Sequence, residues 1–234
     1  MLDIKPEAEV VYDPERWRIL ARKRRRAIKV MEVLSSRRTP AYVYGSVARG
    51  DVREGSDVDV VVPKYSLPPS LLEGILADHL GDPLYREIVQ ATPRSTPKYY
   101  IHFDDNTTVS IPIGTLRKRE EEFYKFGGRL GLMGLKEGKR VPGVNKELKL
   151  IFPTENGHLE YPVIGYEEYV ARVLGVGEDV VKERVRVLMK RRSVGTTGLY
   201  LTYRLLPGES FEEAILKLKK VKKGFRSRLA EDEL

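Results

Sequence analysis

The chain predicts an α+β fold: a mixed-sheet first domain over residues 1–116, a connecting segment over 117–143, and a smaller α+β domain over 144–234 that carries a winged-helix-like helix-turn-helix. Three observations carry this reading. Short runs rich in Val, Ile and Tyr, bounded by Gly, Pro and Asp, alternate with amphipathic stretches through the first half. Gly127, Gly128, Gly131, Gly134, Gly138 and Gly143 then interrupt the pattern. Two short amphipathic segments follow, joined at Leu174-Gly175-Val176, at the spacing of a helix-turn-helix.

Asp13 followed by Pro14 is an N-cap with proline at the first helical position. Trp17, Leu20, Ala21, Ala27, Ile28, Met31 and Leu34 recur near helical spacing, so 14–36 is predicted helical. The run Arg22-Lys23-Arg24-Arg25-Arg26 cannot share one face. Arg24 falls near the apolar stripe and must snorkel or find a partner, while the rest form a solvated face or phosphate contacts. Ala41 to Tyr44 reads as a strand, Gly45-Ser46 as a tight turn into a helical turn or two, and Asp57 to Val62 as a second strand. Pro63 to Pro69 is a linker, and Ser70 to Leu80 an amphipathic helix with His79 at its end. Strands are predicted over Tyr85–Ala91, Tyr99–Phe103 and Val109–Ile113, the last two joined by the turn residues Asp104-Asp105-Asn106. Alternation puts His102 on one face with Tyr100, in a structural role. Leu116 to Phe126 is a charged helix. The glycines after it suggest a linker or mobile loop; as a phosphate cradle their spacing matches no P-loop.

Leu148–Pro153 and Leu159–Ile164 flank the hairpin signal Asn156-Gly157, with Pro162 placing the second strand at a sheet edge. Helices are predicted over Glu167–Leu174 and Asp179–Arg192, and Gly198–Leu205 as a strand that would serve as the wing. The second helix carries Lys182, Arg184, Arg186, Lys190, Arg191 and Arg192, a density suited to a helix lying near phosphates. Arg184, Lys190 and Arg191 are its candidate nucleic-acid contacts, against a plain two-helix unit with a basic solvent face. A lysine-rich helix from Phe211 runs towards Glu231-Asp232-Glu233.

The formal net charge of +8 favours polyanionic partners, RNA or DNA among them. There is no cysteine, hence no disulfide framework and no thiolate metal site. No apolar run approaches the ~20 residues of a membrane span, and Met1 to Glu9 has no signal-peptide character, so the expectation is a cytoplasmic protein without membrane contact.

The chemistry concentrates in Ala41–Pro63. Asp57 and Asp59 are two apart on a strand and share a face, opposite Val58, Val60 and Val62. Two adjacent carboxylates repel, and a divalent cation with hard oxygen ligands, Mg²⁺ above all where phosphates are present, relieves this. Gly45 allows close backbone approach, and Ser46 opens a helical turn suited to phosphate. Gly45-Ser46 followed by Asp57-Val58-Asp59, with Arg49-Gly50-Asp51 and Gly55-Ser56 between, resembles the nucleotidyltransferase superfamily of DNA polymerase β over about residues 26–115. The resemblance implies a nucleotidyltransferase domain that transfers NMP from a nucleoside triphosphate. In it, Asp57 and Asp59 are the catalytic ligands of Mg²⁺ or Mn²⁺, Gly45 and Ser46 cradle the phosphates, and Arg49, or Arg53, offsets the charge of the leaving pyrophosphate. Where family members place a third carboxylate, this chain has Val109-Ser110-Ile111-Pro112; Asp104 or Asp105 substitutes only if the hairpin folds it back. Three functions remain open: transfer to a nucleic acid, a lapsed enzyme that binds nucleotide or nucleic acid as a regulator, and nucleotidylation of a protein or small molecule.

Overall fold

The computed structural model describes residues 4–104, 106–195 and 198–231; Asp105, Asp232 and Glu233 lie outside the described residues. In chain order the elements are β1 (Ala8–Val11), α1 (Pro14–Ser36), β2 (Tyr42–Tyr44), α2 (Ser46–Arg49), β3 (Val58–Val61), α3 (Pro69–Leu80), β4 (Tyr85–Gln90), β5 (Lys98–Asp104), β6 (Thr107–Pro112), α4 (Lys118–Phe126), β7 (Arg129–Gly131), α5 (Leu132–Lys136), β8 (Gly143–Val144), β9 (Lys149–Thr154), β10 (Gly157–Pro162), α6 (Glu167–Leu174), α7 (Glu178–Val194), β11 (Leu201–Arg204), α8 (Phe211–Val221) and α9 (Lys223–Ala230). The fold is α+β. Among the described residues no helix is long and apolar enough to cross a membrane.

Local chemistry sets most boundaries. The Asp13 carboxylate accepts from the Arg16 amide at 2.7 Å and starts α1. Gly175, at φ 61°, ends α6 in the left-handed conformation. Ser210 and Glu213 form a reciprocal capping box on α8. The basic tail is two helices, α8 and α9, broken at Lys222, whose extended backbone (φ −118°, ψ 98°) cannot continue a helix.

Contacts divide the chain into two compact units that interleave in sequence: 1–28, 42–58 and 118–197 in the first, 29–41, 59–117 and 198–234 in the second. This replaces the expected serial division at 116 and 144. The reason is strand pairing at long range. In the first unit, β1 pairs antiparallel with β10, Ala8 opposite Glu160 and Val11 opposite Gly157, giving a sheet in the order β1-β10-β9-β8. Pro162 is therefore not on an edge strand. It sits at the end of β10, beyond the reach of β1, where no partner needs its missing N–H. Phe126, Val144, Leu148, Leu150, Tyr161, Val163, Val170, Val181, Val185 and Leu188 make this unit's core, so α6 and α7 are packed against β8, β9 and β10.

The glycine-rich segment is neither linker nor loose loop. It forms β7, α5 and β8, and β7 pairs with β2, Val43 opposite Leu130. Two of its glycines are required by close approach: a Cβ on Gly143 would lie 2.5 Å from the Gly128 nitrogen, and one on Gly128, whose φ is +79°, would lie 2.8 Å from the Arg49 side chain.

In the second unit the strands run in the order β11-β4-β5-β6-β3. β11 pairs antiparallel with β4, Leu201 opposite Gln90, so it completes this sheet and is not the wing of a winged helix. β4, β5 and β6 form a meander, Tyr85 opposite His102 and Tyr100 opposite Ser110. Buried Tyr99 packs on Phe211 of α8, ring centroids 4.8 Å apart, and its hydroxyl donates to Glu73 of α3, which also accepts from Arg86 at 3.0 Å. His102 stacks on Tyr85 at 4.1 Å and meets the Thr108 hydroxyl at 3.0 Å.

Candidate active site

The turn after β2 is shaped by one glycine. Gly45 has φ 79° and ψ −148°, a conformation closed to L side chains, and nothing lies within 4 Å of where its Cβ would be. A ligand can therefore come close to this backbone. The Gly45 amide donates to the Gly128 carbonyl at 2.9 Å, and α2 winds directly from it, with Gly50 closing the turn at φ 107°. Val47 and Ala48 are fully buried and anchor the short helix. Buried Arg24 supplies the partner its position on α1 demanded: Nε donates to the Val47 carbonyl at 3.1 Å and Nη2 to that of Ala48 at 3.2 Å. Burial, helped by nearby Arg140, lowers its pKa to about 10, so it stays charged at neutral pH.

Arg49 is 5% exposed, and its guanidinium is engaged on all three nitrogens. Nε and Nη2 form a two-pronged pair with the Asp51 carboxylate at 3.0 and 2.9 Å, and Nη1 donates to the Gly127 carbonyl at 2.6 Å. In this structure Arg49 ties α2 to the glycine-rich segment instead of pointing to solvent. Arg-Gly-Asp at 49–51 was visible in the sequence, but that the aspartate pairs back onto the arginine was not. Arg53 is exposed, 3.6 Å from the Glu147 carboxylate.

Asp57 immediately precedes β3, is exposed, and has no ion pair among the described residues. Asp59 lies within β3 and is half-buried, while Val58 and Val60 are buried at 1% and 0% exposure. Strand alternation puts the two carboxylates on the face opposite those valines. Two hard-oxygen donors at adjacent same-face positions fit one Mg²⁺ ion that also takes oxygens from a phosphate. Among the described residues no group of three His, Cys, Asp or Glu side chains is placed to hold a metal. Ser110 is 2% exposed, and its hydroxyl donates to the Val60 carbonyl at 3.4 Å. Asp104 ends β5; Asp105, the other substitute, lies outside the described residues.

The basic residues of α7 separate into two kinds. Lys190 and Arg191 are exposed. Arg184 is half-buried, with its guanidinium 4.7 Å from the Phe123 ring centroid and its pKa lowered by burial and then by Arg191. The sequence does not reveal this difference, because it depends on α4 lying against α7.

No curated protein matches the chain. Among protein families, residues 24–108 match the one described as a nucleotidyltransferase domain, a span that contains Gly45-Ser46, Asp57, Asp59 and the strands β2 to β5. Over residues 24–108 the chain is therefore similar to a nucleotidyltransferase domain.

Proposed function

We propose that the chain transfers a nucleoside monophosphate from a nucleoside triphosphate, with Mg²⁺ or Mn²⁺ as cofactor, to the hydroxyl of a nucleic-acid acceptor. The observation that carries this is the open backbone at Gly45-Ser46 followed by two same-face carboxylates, Asp57 and Asp59, inside the matched segment. When bound, the metal ion supplies charge neutralisation on the triphosphate and a lowered pKa for an attacking hydroxyl. Asp57 and Asp59 hold it, and Gly45 and Ser46 receive the β- and γ-phosphates. Arg49 acts by bracing α2 through Asp51 and Gly127, which fixes the turn that meets those phosphates. Exposed Lys190 and Arg191 on α7 are the acceptor contacts, through its phosphate backbone.

One observation favours a second reading. Ser110, at the position of the expected third carboxylate, is buried and bonded to a backbone carbonyl, so that position offers no carboxylate as metal ligand or base. On that reading the domain binds nucleotide or nucleic acid as a regulator without turning over. Metal-dependent incorporation of α-labelled nucleotide, offered RNA, DNA, protein and small hydroxylated acceptors in parallel, tests both. Incorporation into nucleic acid supports transfer; tight Mg²⁺-nucleotide binding with no incorporation supports the regulator; incorporation only into protein or a small molecule assigns a different acceptor.

A further inference from the structure

Most arginines of the first unit have a defined anionic or carbonyl partner. Arg49 pairs with Asp51, Arg22 with Glu54, Arg119 with Asp179, and Arg172 with Glu168. Arg24 and Arg140 donate to backbone carbonyls. Three differ: Arg16, whose guanidinium lies 4.3 Å from the Tyr12 ring centroid and whose Nε has no hydrogen-bond partner, and the pair Arg129 and Arg184. Both members of the pair are half-buried, and neither makes an ion pair or hydrogen bond through its guanidinium among the described residues. Each is held by an aromatic ring instead: Arg129 lies 4.7 Å from the Tyr42 centroid and Arg184 4.7 Å from that of Phe123. The Arg184 Nε is buried with no hydrogen-bond partner. Its neighbour Glu183 attracts it without forming an ion pair, facing Arg119 at 3.8 Å, and Arg191 adds a like charge that outweighs that attraction. A desolvated cation without a counter-ion is costly, and a stacked ring offsets only part of that cost.

The surroundings of the two arginines are linked through Tyr44. Arg129 is the cross-strand partner of Tyr44, so their side chains share a face of the β2–β7 pair, on which Tyr42 also lies. Phe123, the platform of Arg184, contacts Tyr44 with ring centroids 6.4 Å apart. Tyr44 is the residue before Gly45, and the carbonyl of Gly128, the residue before Arg129, accepts from the Gly45 amide. Arg49, meanwhile, is consumed by Asp51.

We propose that Arg129 and Arg184 form the cationic wall of a nucleoside triphosphate site, binding oxyanions of the triphosphate tail beside the Gly45-Ser46 turn. This rests on the nucleotide reading above and moves Arg184 from nucleic-acid contact to nucleotide. Both residues lie beyond the segment 24–108, so the glycine-rich segment and α7 complete the phosphate site. The aromatic stacking holds each guanidinium in place before the ligand arrives, which lowers the ordering cost of binding.

The test uses the full chain with Mg²⁺ and three probes: inorganic tripolyphosphate, each common nucleoside triphosphate, and a short oligoadenylate. Arg129→Met and Arg184→Met, which keep the apolar stem, are each expected to weaken tripolyphosphate and the best-bound triphosphate about tenfold, with Arg184→Lys intermediate because an ammonium keeps charge but not the planar fork. Oligoadenylate affinity should stay constant. The melting temperature of ligand-free Arg184→Met should hold or rise, since an uncompensated half-buried cation is removed. Unchanged tripolyphosphate and triphosphate binding in both variants would overturn the inference alone. So would equal loss of oligoadenylate binding, or unfolding of ligand-free Arg184→Met, which would mark a structural arginine. If the wild-type chain binds no triphosphate, the nucleotide reading falls and takes this inference with it.

Discussion

Replacing Asp51 by alanine removes the carboxylate that holds Arg49. The pair is nearly dry: the Arg49 and Asp51 side chains are 6% and 9% exposed, and two N–H···O bonds of 3.0 and 2.9 Å join them. Deleting one partner leaves a buried guanidinium whose remaining bonds, to the carbonyls of Gly127 and Val144, carry no full negative charge. Breaking a buried pair from one side costs about 3–5 kcal/mol. For a chain of this length each kcal/mol moves the midpoint by about 2–4 °C, so Asp51→Ala should melt roughly 6–20 °C below wild type. Arg49→Met with Asp51→Leu should recover most of that loss, because it removes both charges and keeps the volume. Thermal denaturation followed by circular dichroism, with both single variants and the double, measures this. A shift under about 2 °C for Asp51→Ala would refute the bracing role and return Arg49 to the phosphates.

Other expectations concern the scaffold and the surface. Gly143→Ala forces a methyl group to within 2.5 Å of the Gly128 backbone nitrogen and should cost about 1–3 kcal/mol by urea denaturation; full stability would mean the two backbones do not approach. Ser110→Asp should lower the melting temperature without metal, because it buries a carboxylate in place of a hydroxyl, and Mn²⁺ should restore part of the loss if the side chain reaches the site; no effect of Mn²⁺ would place position 110 away from the metal. Lys190→Ala with Arg191→Ala should reduce the slope of log affinity against log salt for single-stranded RNA by about 0.7 for each phosphate that the helix no longer neutralises, whereas an unaltered slope would remove α7 from the interface. His158, 1% exposed, has its pKa lowered chiefly by burial, against the opposing hydrogen bond that its Nε2–H donates to Glu160; Nδ1 then accepts from the Tyr12 hydroxyl, whose own pKa burial raises to about 12. The unfolded chain then binds this proton first, so the contribution of His158 to stability is complete above about pH 6.5 and declines as pH falls through that value towards the depressed folded one. His158→Gln should flatten that part of the stability–pH curve, and an unchanged curve would show that His158 binds its proton equally in the folded and unfolded chain.

Legibility followed the range of the forces involved. Elements set by neighbours in the chain were readable: the Asp13-Pro14 start of α1, the Asn156-Gly157 hairpin, the Gly175 stop of α6. So was the turn at Gly45, since turn chemistry is a local property. What the sequence hid depends on distant partners. Gly128 and Gly143 looked like flexible punctuation because the backbones that crowd them lie elsewhere in the chain. β11 looked like a wing because it follows α7, yet its hydrogen bonds go to β4, over a hundred residues earlier. Arg184, Lys190 and Arg191 read alike as basic helix residues, and only Phe123, from α4, sets Arg184 apart. Arg49 carried the strongest functional expectation among the cations, and its burial against Asp51 depends on the fold around α2.

The central claim is nucleotidyl transfer dependent on Asp57 and Asp59. Its most direct measurement is incorporation of α-labelled nucleotide into single-stranded RNA and DNA by the full chain, with Mg²⁺, with Mn²⁺ and with chelator, for wild type, Asp57→Asn and Asp59→Asn. The expected result is labelled acceptor and released pyrophosphate with wild type and metal, and none with chelator or with either variant, while both variants keep the wild-type circular dichroism spectrum. Incorporation that persists at the wild-type rate in both folded variants, or in chelator, would contradict it.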